Sequence, residues 1–243
     1  MKRTMILGIS IISLILLPLS VSAYVFTDEY WGGNVVNAGA TAYGDEISGS
    51  LNEFSVDTFT AVEYDNGHEQ CYSFTLTGDY FSNYWNDTGL AGEYAPGDLY
   101  ISTSGWNVNS TSDNYAYDTF DANEGWDYVI TYNSSGIYEL DYNSITMTSA
   151  PSGYVYRSDQ AWQGGYGTQI GVSTTYIDPT AGTLRFVFAK SLLELDLENI
   201  GYHWTMRCGN DVVEGGGTPV PEPATLLLLG FGLFGLGLVR RNR

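Results

Sequence analysis

The stretch Cys71-Tyr-Ser-Phe-Thr-Leu-Thr77 alternates large apolar side chains with small polar ones. Successive side chains of a β-strand point to opposite faces of a sheet, so this pattern predicts a strand with one buried face. Aromatic and β-branched residues, which favour strands, are abundant in the surrounding chain, whereas lysine and alanine are sparse. The stretch therefore indicates an all-β fold.

Other segments show the same alternation, namely Glu53–Thr60, Asp98–Ser102, Trp126–Tyr132 and Thr183–Phe188. Turn-forming sequences such as Asp65-Asn-Gly67 separate them. Many short strands with such turns indicate a β-sandwich, and the jelly-roll or concanavalin-like type suits a body of about 198 residues. We expect a last strand around Trp204 with an apolar inner face, and a short helix near Lys190–Leu197.

The N-terminus has the three parts of a secretory signal peptide. Met1-Lys-Arg3 is basic, residues 6–19 are apolar, and Val21-Ser-Ala23 has the small residues of a cleavage site. The sequence therefore predicts that signal peptidase removes residues 1–23 and that the mature chain begins at Tyr24.

The C-terminus predicts a second membrane-directed segment. Residues 224–239 carry no charge and would form a helix of roughly 24 Å, slightly short for a hydrocarbon core of about 30 Å. The arginines that follow, Arg240, Arg241 and Arg243, would stay in the cytoplasm by the positive-inside rule. A permanent anchor and a processed sorting signal are both compatible with this arrangement.

Pro221-Glu222-Pro223, the apolar helix 224–239 and the terminal arginines resemble, in that order, the PEP-CTERM tails of Gram-negative envelope proteins. The resemblance covers residues 220–243 and implies that exosortase, an integral-membrane transpeptidase-like enzyme, processes the tail at the inner membrane. The prolines favour an extended segment that an enzyme can reach, which favours processing over anchoring. We therefore expect a sandwich over 24–214, a glycine-rich stalk over 215–219 and the sorting signal over 220–243.

Removal of both signals leaves a strongly acidic body. Residues 24–221 contain four basic residues against 27 carboxylates, a formal charge of −23. Such a surface repels nucleic acid and anionic lipid, so nucleic acid is excluded as a partner. Divalent cations, neutral glycans and cationic surfaces remain compatible with it.

The two cysteines, Cys71 and Cys208, both lie in the exported region. An even and minimal number of cysteines in an oxidising compartment predicts one disulfide. In the chain-entropy model a loop of this length would stabilise the fold by roughly 4–5 kcal/mol.

Glu194-Leu-Asp196-Leu-Glu198 is the sharpest catalytic candidate. On a strand its three carboxylates would share one face, as the nucleophile and acid/base of a retaining glycosidase require. These five residues resemble the catalytic strand of family 16 glycoside hydrolases, which implies a nucleophilic Glu194 and an acid/base Glu198. The alternative is that the leucines pack inward and the carboxylates are solvated.

Two further sets of residues suggest binding sites. Trp85 and Trp162 lie among asparagines, aspartates and glycines, a composition typical of glycan-binding loops, although large rings can instead fill a core. The acidic loop around Asp118, Asp121 and Asn123 offers the hard oxygen ligands that calcium requires, or it is a solvated loop. We expect no other cofactor.

Together these features predict an exported, exosortase-sorted β-sandwich of the cell surface or extracellular matrix. We expect it to be noncatalytic and to contact glycan or exopolysaccharide. A glycoside hydrolase using Glu194 and Glu198 is the alternative, and a purely structural surface protein is the third hypothesis.

Overall fold

The computed structural model describes residues 23–27, 34–35, 54–83, 94–108, 115, 118–148 and 157–216. Of the predicted signal peptide only Ala23 is among them, and the predicted helix 224–239 lies outside them. Within these ranges no helix is both long and apolar enough to cross a membrane. The structure therefore concerns the predicted exported body.

Thirteen strands make up most of the described chain. They are β1 (Ala23–Thr27), β2 (Asn34–Val35), β3 (Thr58–Asp65), β4 (Gln70–Thr77), β5 (Leu99–Ser102), β6 (Tyr128–Ile130), β7 (Gly136–Met147), β8 (Arg157–Ser158), β9 (Ala161–Val172), β10 (Thr174–Asp178), β11 (Thr183–Ala189), β12 (Gly201–Thr205) and β13 (Val212–Gly216). The helical elements whose bounds are described are α1 (Asp79–Asn83) and the 3₁₀ turns Ala122–Glu124 and Lys190–Leu192. The all-β prediction is confirmed for this part of the chain.

The strands form two large antiparallel sheets. Sheet I has the order β1-β3-β4-β11-β10, and sheet II has the order β13-β12-β5-β6-β7-β9. Strands β2 and β8 form a small separate ribbon. Sheet I buries one face, because its large apolar side chains alternate with smaller and polar ones, as the pattern at Cys71–Thr77 predicted.

One core fills the space between the two sheets. Phe59, Phe74 and Phe186 of sheet I and Tyr202 and Trp204 of sheet II all belong to it. The rings of Phe59 and Tyr202 stack with centroids 3.9 Å apart, so the sheets are in direct contact. This arrangement is that of a sandwich, and the narrower jelly-roll or concanavalin-like assignment stays a prediction.

A second, smaller core lies on the other face of sheet II. Its members are Tyr100, Phe120, Trp126, Val129 and Ala161. The Phe120 ring lies 4.9 Å from those of Tyr100 in β5 and His203 in β12, so the loop over 118–126 covers this face of the sheet. As a result β12 is buried on both faces, whereas the sequence predicted only one.

Some predicted boundaries need correction. The first predicted strand, 53–60, corresponds to β3, which begins at Thr58 and ends at Asp65. Residues 54–57 lie outside any strand. The helix expected over 190–197 stops at Leu192, because Leu193 has the extended angles φ −139° and ψ 124°. Gly215 and Gly216, which we expect in the stalk, belong instead to β13, and the remainder of that segment lies outside the described residues.

Candidate functional site

Three acidic side chains meet beneath the loop that covers sheet II. Asp118 and Glu124 come from this loop and Glu214 comes from β13, and we call them the acidic cluster. Their exposed fractions are 1%, 1% and 4%. One carboxylate oxygen from each lies within 4.8 Å of those from the other two.

Local capping fixes the position of Glu124. The 3₁₀ turn begins after Asp121, whose side chain accepts a hydrogen bond from the Asn123 backbone amide at 2.6 Å. Glu124 Oε2 in return accepts from the Asp121 amide and from Trp126 Nε1, both at 2.8 Å. The reciprocal bonds of Asp121 and Glu124 form a capping box, and they leave Glu124 Oε1 buried without a hydrogen-bond partner in the described structure.

Glu214 is held by two ring nitrogens. Trp106 Nε1 donates to Oε1 at 3.0 Å, and His203 Nδ1 lies 2.7 Å from Oε2. The other His203 nitrogen, Nε2, donates to the Ala161 carbonyl at 2.9 Å, so in a neutral ring Nδ1 accepts a hydrogen bond from the protonated carboxyl of Glu214. Burial lowers the pKa of His203 to about 4 and raises that of Glu214, which agrees with this proton position.

Burial is also the main influence on Glu124. It raises the pKa of this carboxyl from its ordinary 4.5 to about 9, and the neighbouring charges of Glu214 and Asp118 act in the same direction. A pKa raised in this way means that the ionised form is destabilised by its surroundings. The cluster therefore requires either protons or a cation to balance its charge.

The structure separates the residues of the predicted calcium loop. Asp118 enters the acidic cluster, whereas Asp121 and Asn123 form the cap of the 3₁₀ turn. Glu124 belongs to the same acidic loop but is not among the predicted ligands. Glu214 lies on β13, which is far from this loop in the sequence. Its approach to the loop depends on the pairing of β13 with β12 in sheet II.

The predicted catalytic residues lie in the segment after the 3₁₀ turn Lys190–Leu192 and outside the strands. Glu194, Asp196 and Glu198 are exposed, while the intervening leucines are buried. Asp196 accepts from the Glu198 amide at 3.2 Å and from Asn199 Nδ2 at 2.7 Å, so it stabilises a turn. This arrangement favours the alternative interpretation, in which the leucines pack inward and the carboxylates are solvated.

Trp162, one of the two predicted glycan-binding residues, is almost fully buried, with 9% of its surface exposed. The Arg207 guanidinium lies over its ring, 5.5 Å from the centroid. A sugar could not stack on this ring without displacing Arg207. Trp85, the other predicted residue, lies outside the described residues.

The predicted disulfide is wrong for this structure, in which both cysteines are free and buried. Cys71 belongs to the outward-facing row of β4 and accepts a hydrogen bond from Asn66 Nδ2 at 3.2 Å. Cys208 lies in the core between the sheets, where burial raises its pKa to about 12. Sheet I separates the two thiols, which is why they do not pair.

The outer face of sheet I is rich in hydroxyl groups, and we call it the threonine face. Pairing of four neighbouring strands brings Thr27, Thr58, Thr77 and Thr183 into one row. Thr60 and Thr75 form part of the next row, since they pair with each other. Neighbouring strands lie about 4.8 Å apart, so the hydroxyls form a regular array.

This face carries almost no charge. Among the described outward-facing residues of the five strands, Arg185 and Asp178 are charged, and their charges cancel. The Arg185 guanidinium lies 4.8 Å from the centroid of the Tyr176 ring, which is 48% exposed. A neutral face on a body of charge −23 is a distinct surface that the sequence did not reveal.

Comparison with known proteins gives one match. Residues 219–241 match the PEP-CTERM protein-sorting motif, which confirms the resemblance of the C-terminal tail. No curated protein and no solved structure matches the chain. The motif implies export, with exosortase as the processing partner and sorting at the membrane before display at the cell surface. The chain is thus an exported protein that carries a C-terminal PEP-CTERM sorting signal.

Proposed function

We propose that the mature protein is a noncatalytic component of the cell surface or extracellular matrix that contacts neutral exopolysaccharide through its threonine face. The observation that carries this proposal is the neutral, hydroxyl-rich outer face of sheet I on a body of charge −23. It moves the expected glycan contact away from Trp162, whose ring is buried.

The chemistry of the threonine face suits a polysaccharide. Each threonine hydroxyl can donate one hydrogen bond and accept two, as sugar hydroxyls can. Tyr176 on this face is 48% exposed and adds a phenolic hydroxyl that can donate or accept a hydrogen bond. Elsewhere the acidic surface would repel polyanions, so a neutral polymer is the matching partner.

A pair of matched substitutions tests this proposal. Thr60→Glu places a carboxylate in the threonine face, and Thr146→Glu makes the same change at an exposed position of β7 in sheet II. Retention is measured by affinity electrophoresis in gels containing mannan, β-glucan, dextran or the exopolysaccharide of the producing cells. We expect Thr60→Glu to weaken retention at least about tenfold and Thr146→Glu to leave it unchanged, because only the first disturbs the neutral face.

The other outcomes identify the alternatives. Equal retention of the two variants would contradict a role for the threonine face. Absence of retention on every polymer would favour a purely structural surface protein. Release of reducing sugar that Glu194→Gln or Glu198→Gln abolishes would overturn the noncatalytic assignment in favour of a glycoside hydrolase.

A further inference from the structure

The basic side chains of the exported body contact groups outside the acidic cluster. Arg157 donates to the carbonyls of Gly209 and Asn210, Arg185 and Arg207 lie over Tyr176 and Trp162, and Lys190 pairs with Glu63. The ring nitrogens of His203 are both engaged, with Glu214 and Ala161. Within the described ranges, these contacts therefore bring no full positive charge to the three buried carboxyl groups.

Glu124 supplies a second and independent observation. Its Oε2 has two hydrogen-bond donors, whereas Oε1 is buried and has no partner within the described residues. Buried carboxylate oxygens nearly always have a partner, because the loss of hydration is otherwise uncompensated. An oxygen of this kind in a cluster of three carboxylates is an open ligand position.

We propose that the acidic cluster, Asp118, Glu124 and Glu214, binds a calcium ion. This site differs from the loop site predicted from the sequence, because two of its three ligands are different residues. It is also independent of the proposed glycan contact, since it lies on sheet II and the threonine face lies on sheet I.

The donor set selects the metal. Carboxylate oxygens are hard ligands that suit Ca²⁺ or Mg²⁺, whereas Zn²⁺ favours histidine and cysteine. Ca²⁺ takes oxygens at about 2.3–2.6 Å, so two ligands on opposite sides of the ion can be about 5 Å apart. Opposite ligands of Mg²⁺ are only about 4.2 Å apart. The oxygens of the cluster all lie within 4.8 Å of one another, a spread that one calcium ion can bridge.

Two indole groups orient the ligands. Trp126 Nε1 holds Glu124 through Oε2, and Trp106 Nε1 holds Glu214 through Oε1. Such outer hydrogen bonds fix carboxylates in position for a metal. A bound ion would tie the loop over 118–126 to β13, the edge strand that leads to the sorting signal.

The indoles also provide the measurement. Terbium replaces calcium at oxygen sites and emits when a nearby tryptophan is excited, so we expect sensitised emission from the purified exported protein. Excess CaCl₂ should abolish this emission, and MgCl₂ at the same concentration should not. Calcium should also raise the Tm by about 5 °C or more, because it binds the folded state.

Substitutions locate the site. Glu124→Gln and, separately, Asp118→Asn should reduce terbium emission at least about tenfold, whereas the exposed control Glu194→Gln should not. Circular dichroism establishes that each variant is folded, and two ligand variants keep the test decisive if one fails to fold. Emission that survives both substitutions would overturn the proposal, as would the absence of any effect of terbium or calcium on the wild type.

Discussion

Asp98 shows how one buried carboxylate depends on its donors. It is fully buried, and it accepts hydrogen bonds from the Tyr132 amide at 2.7 Å, the Gly164 amide at 3.1 Å and Tyr166 Oη at 2.6 Å. Burial raises its pKa from 3.8 to about 6, and these hydrogen bonds lower it in part. A folded-state pKa above the ordinary value means that Asp98 contributes most stability at low pH, and that this contribution is lost as pH rises to about 6.

We predict that Tyr166→Phe destabilises the protein more at pH 7.5 than at pH 4.5. At pH 7.5 the hydroxyl stabilises an ionised Asp98, and its loss should cost about 1.5–3 kcal/mol in the free energy of unfolding. At pH 4.5 Asp98 is mostly protonated, so the cost should be smaller. Urea denaturation of both proteins at the two pH values measures the difference.

Tyr176→Phe is the matched control for this prediction. Tyr176 is exposed on an edge strand, and loss of its hydroxyl should change the free energy of unfolding by less than about 0.5 kcal/mol at either pH. An equal cost of Tyr166→Phe at both pH values would show that Asp98 is not the group that responds.

Strands were predictable from sequence where one face is apolar and the other polar. β4 and β11 meet that condition, and each lies within or close to its predicted segment. β5 and β6 also lie in their predicted segments, although both of their faces carry buried apolar residues. The long strands β7 and β9 were missed, because glycine and asparagine interrupt their pattern and bulges shift their pairing. Local patterns cannot report such pairing, since it depends on residues far apart in the chain.

The same limit applies to the sites. Asp118 was predictable because it lies in an acidic loop, but its partner Glu214 was not, because β13 brings it there. The threonine row escaped prediction for a similar reason, since Thr27, Thr58, Thr77 and Thr183 belong to four different strands. Strand pairing, which the sequence alone does not specify, creates both the acidic cluster and the threonine face.

The bulge in β9 gives a prediction for this strand. Gly164 has φ +93°, and a Cβ there would lie 2.6 Å from the Ser144 carbonyl oxygen. Gly164→Ala should therefore destabilise the protein by roughly 2–4 kcal/mol, because both the backbone conformation and the space exclude a side chain. Thermal and urea denaturation measure this cost.

Gly67 provides the comparison, because its φ is +88° but a Cβ at this position would have no atom within 4 Å. Gly67→Ala should cost only about 1 kcal/mol, from backbone strain alone. If the two substitutions lower the free energy of unfolding equally, contact with the Ser144 carbonyl oxygen does not contribute to the cost at Gly164.

At the scale of the whole molecule, the terminal signals decide where the folded body acts. The PEP-CTERM motif at 219–241 follows the last strand closely, and the predicted signal peptide ends within β1. Cleavage after Ala23 would still leave Tyr24–Thr27 in β1, with Tyr24 and Phe26 in the core. Removal of both signals is therefore compatible with the folded sheets.

We predict that the exported protein begins at Tyr24 and ends near Pro221–Pro223, with or without an attached conjugate. The Val21-Ser-Ala23 site and the sorting motif motivate this expectation. Intact-mass spectrometry of protein from cells with active exosortase measures both ends. Recovery of a chain that retains Arg243 would show that the tail is a permanent anchor.

The position of β13 sets the largest distance that can separate the folded body from the sorting enzyme. This edge strand ends at Gly216, only five residues before Pro221, and extended chain spans at most about 3.6 Å per residue. The tether between the folded body and the motif therefore reaches no more than about 18 Å. While β13 stays paired, the end of this strand must lie within about 18 Å of the enzyme site that engages Pro221, so the folded body itself sets the clearance at which its own tail is processed.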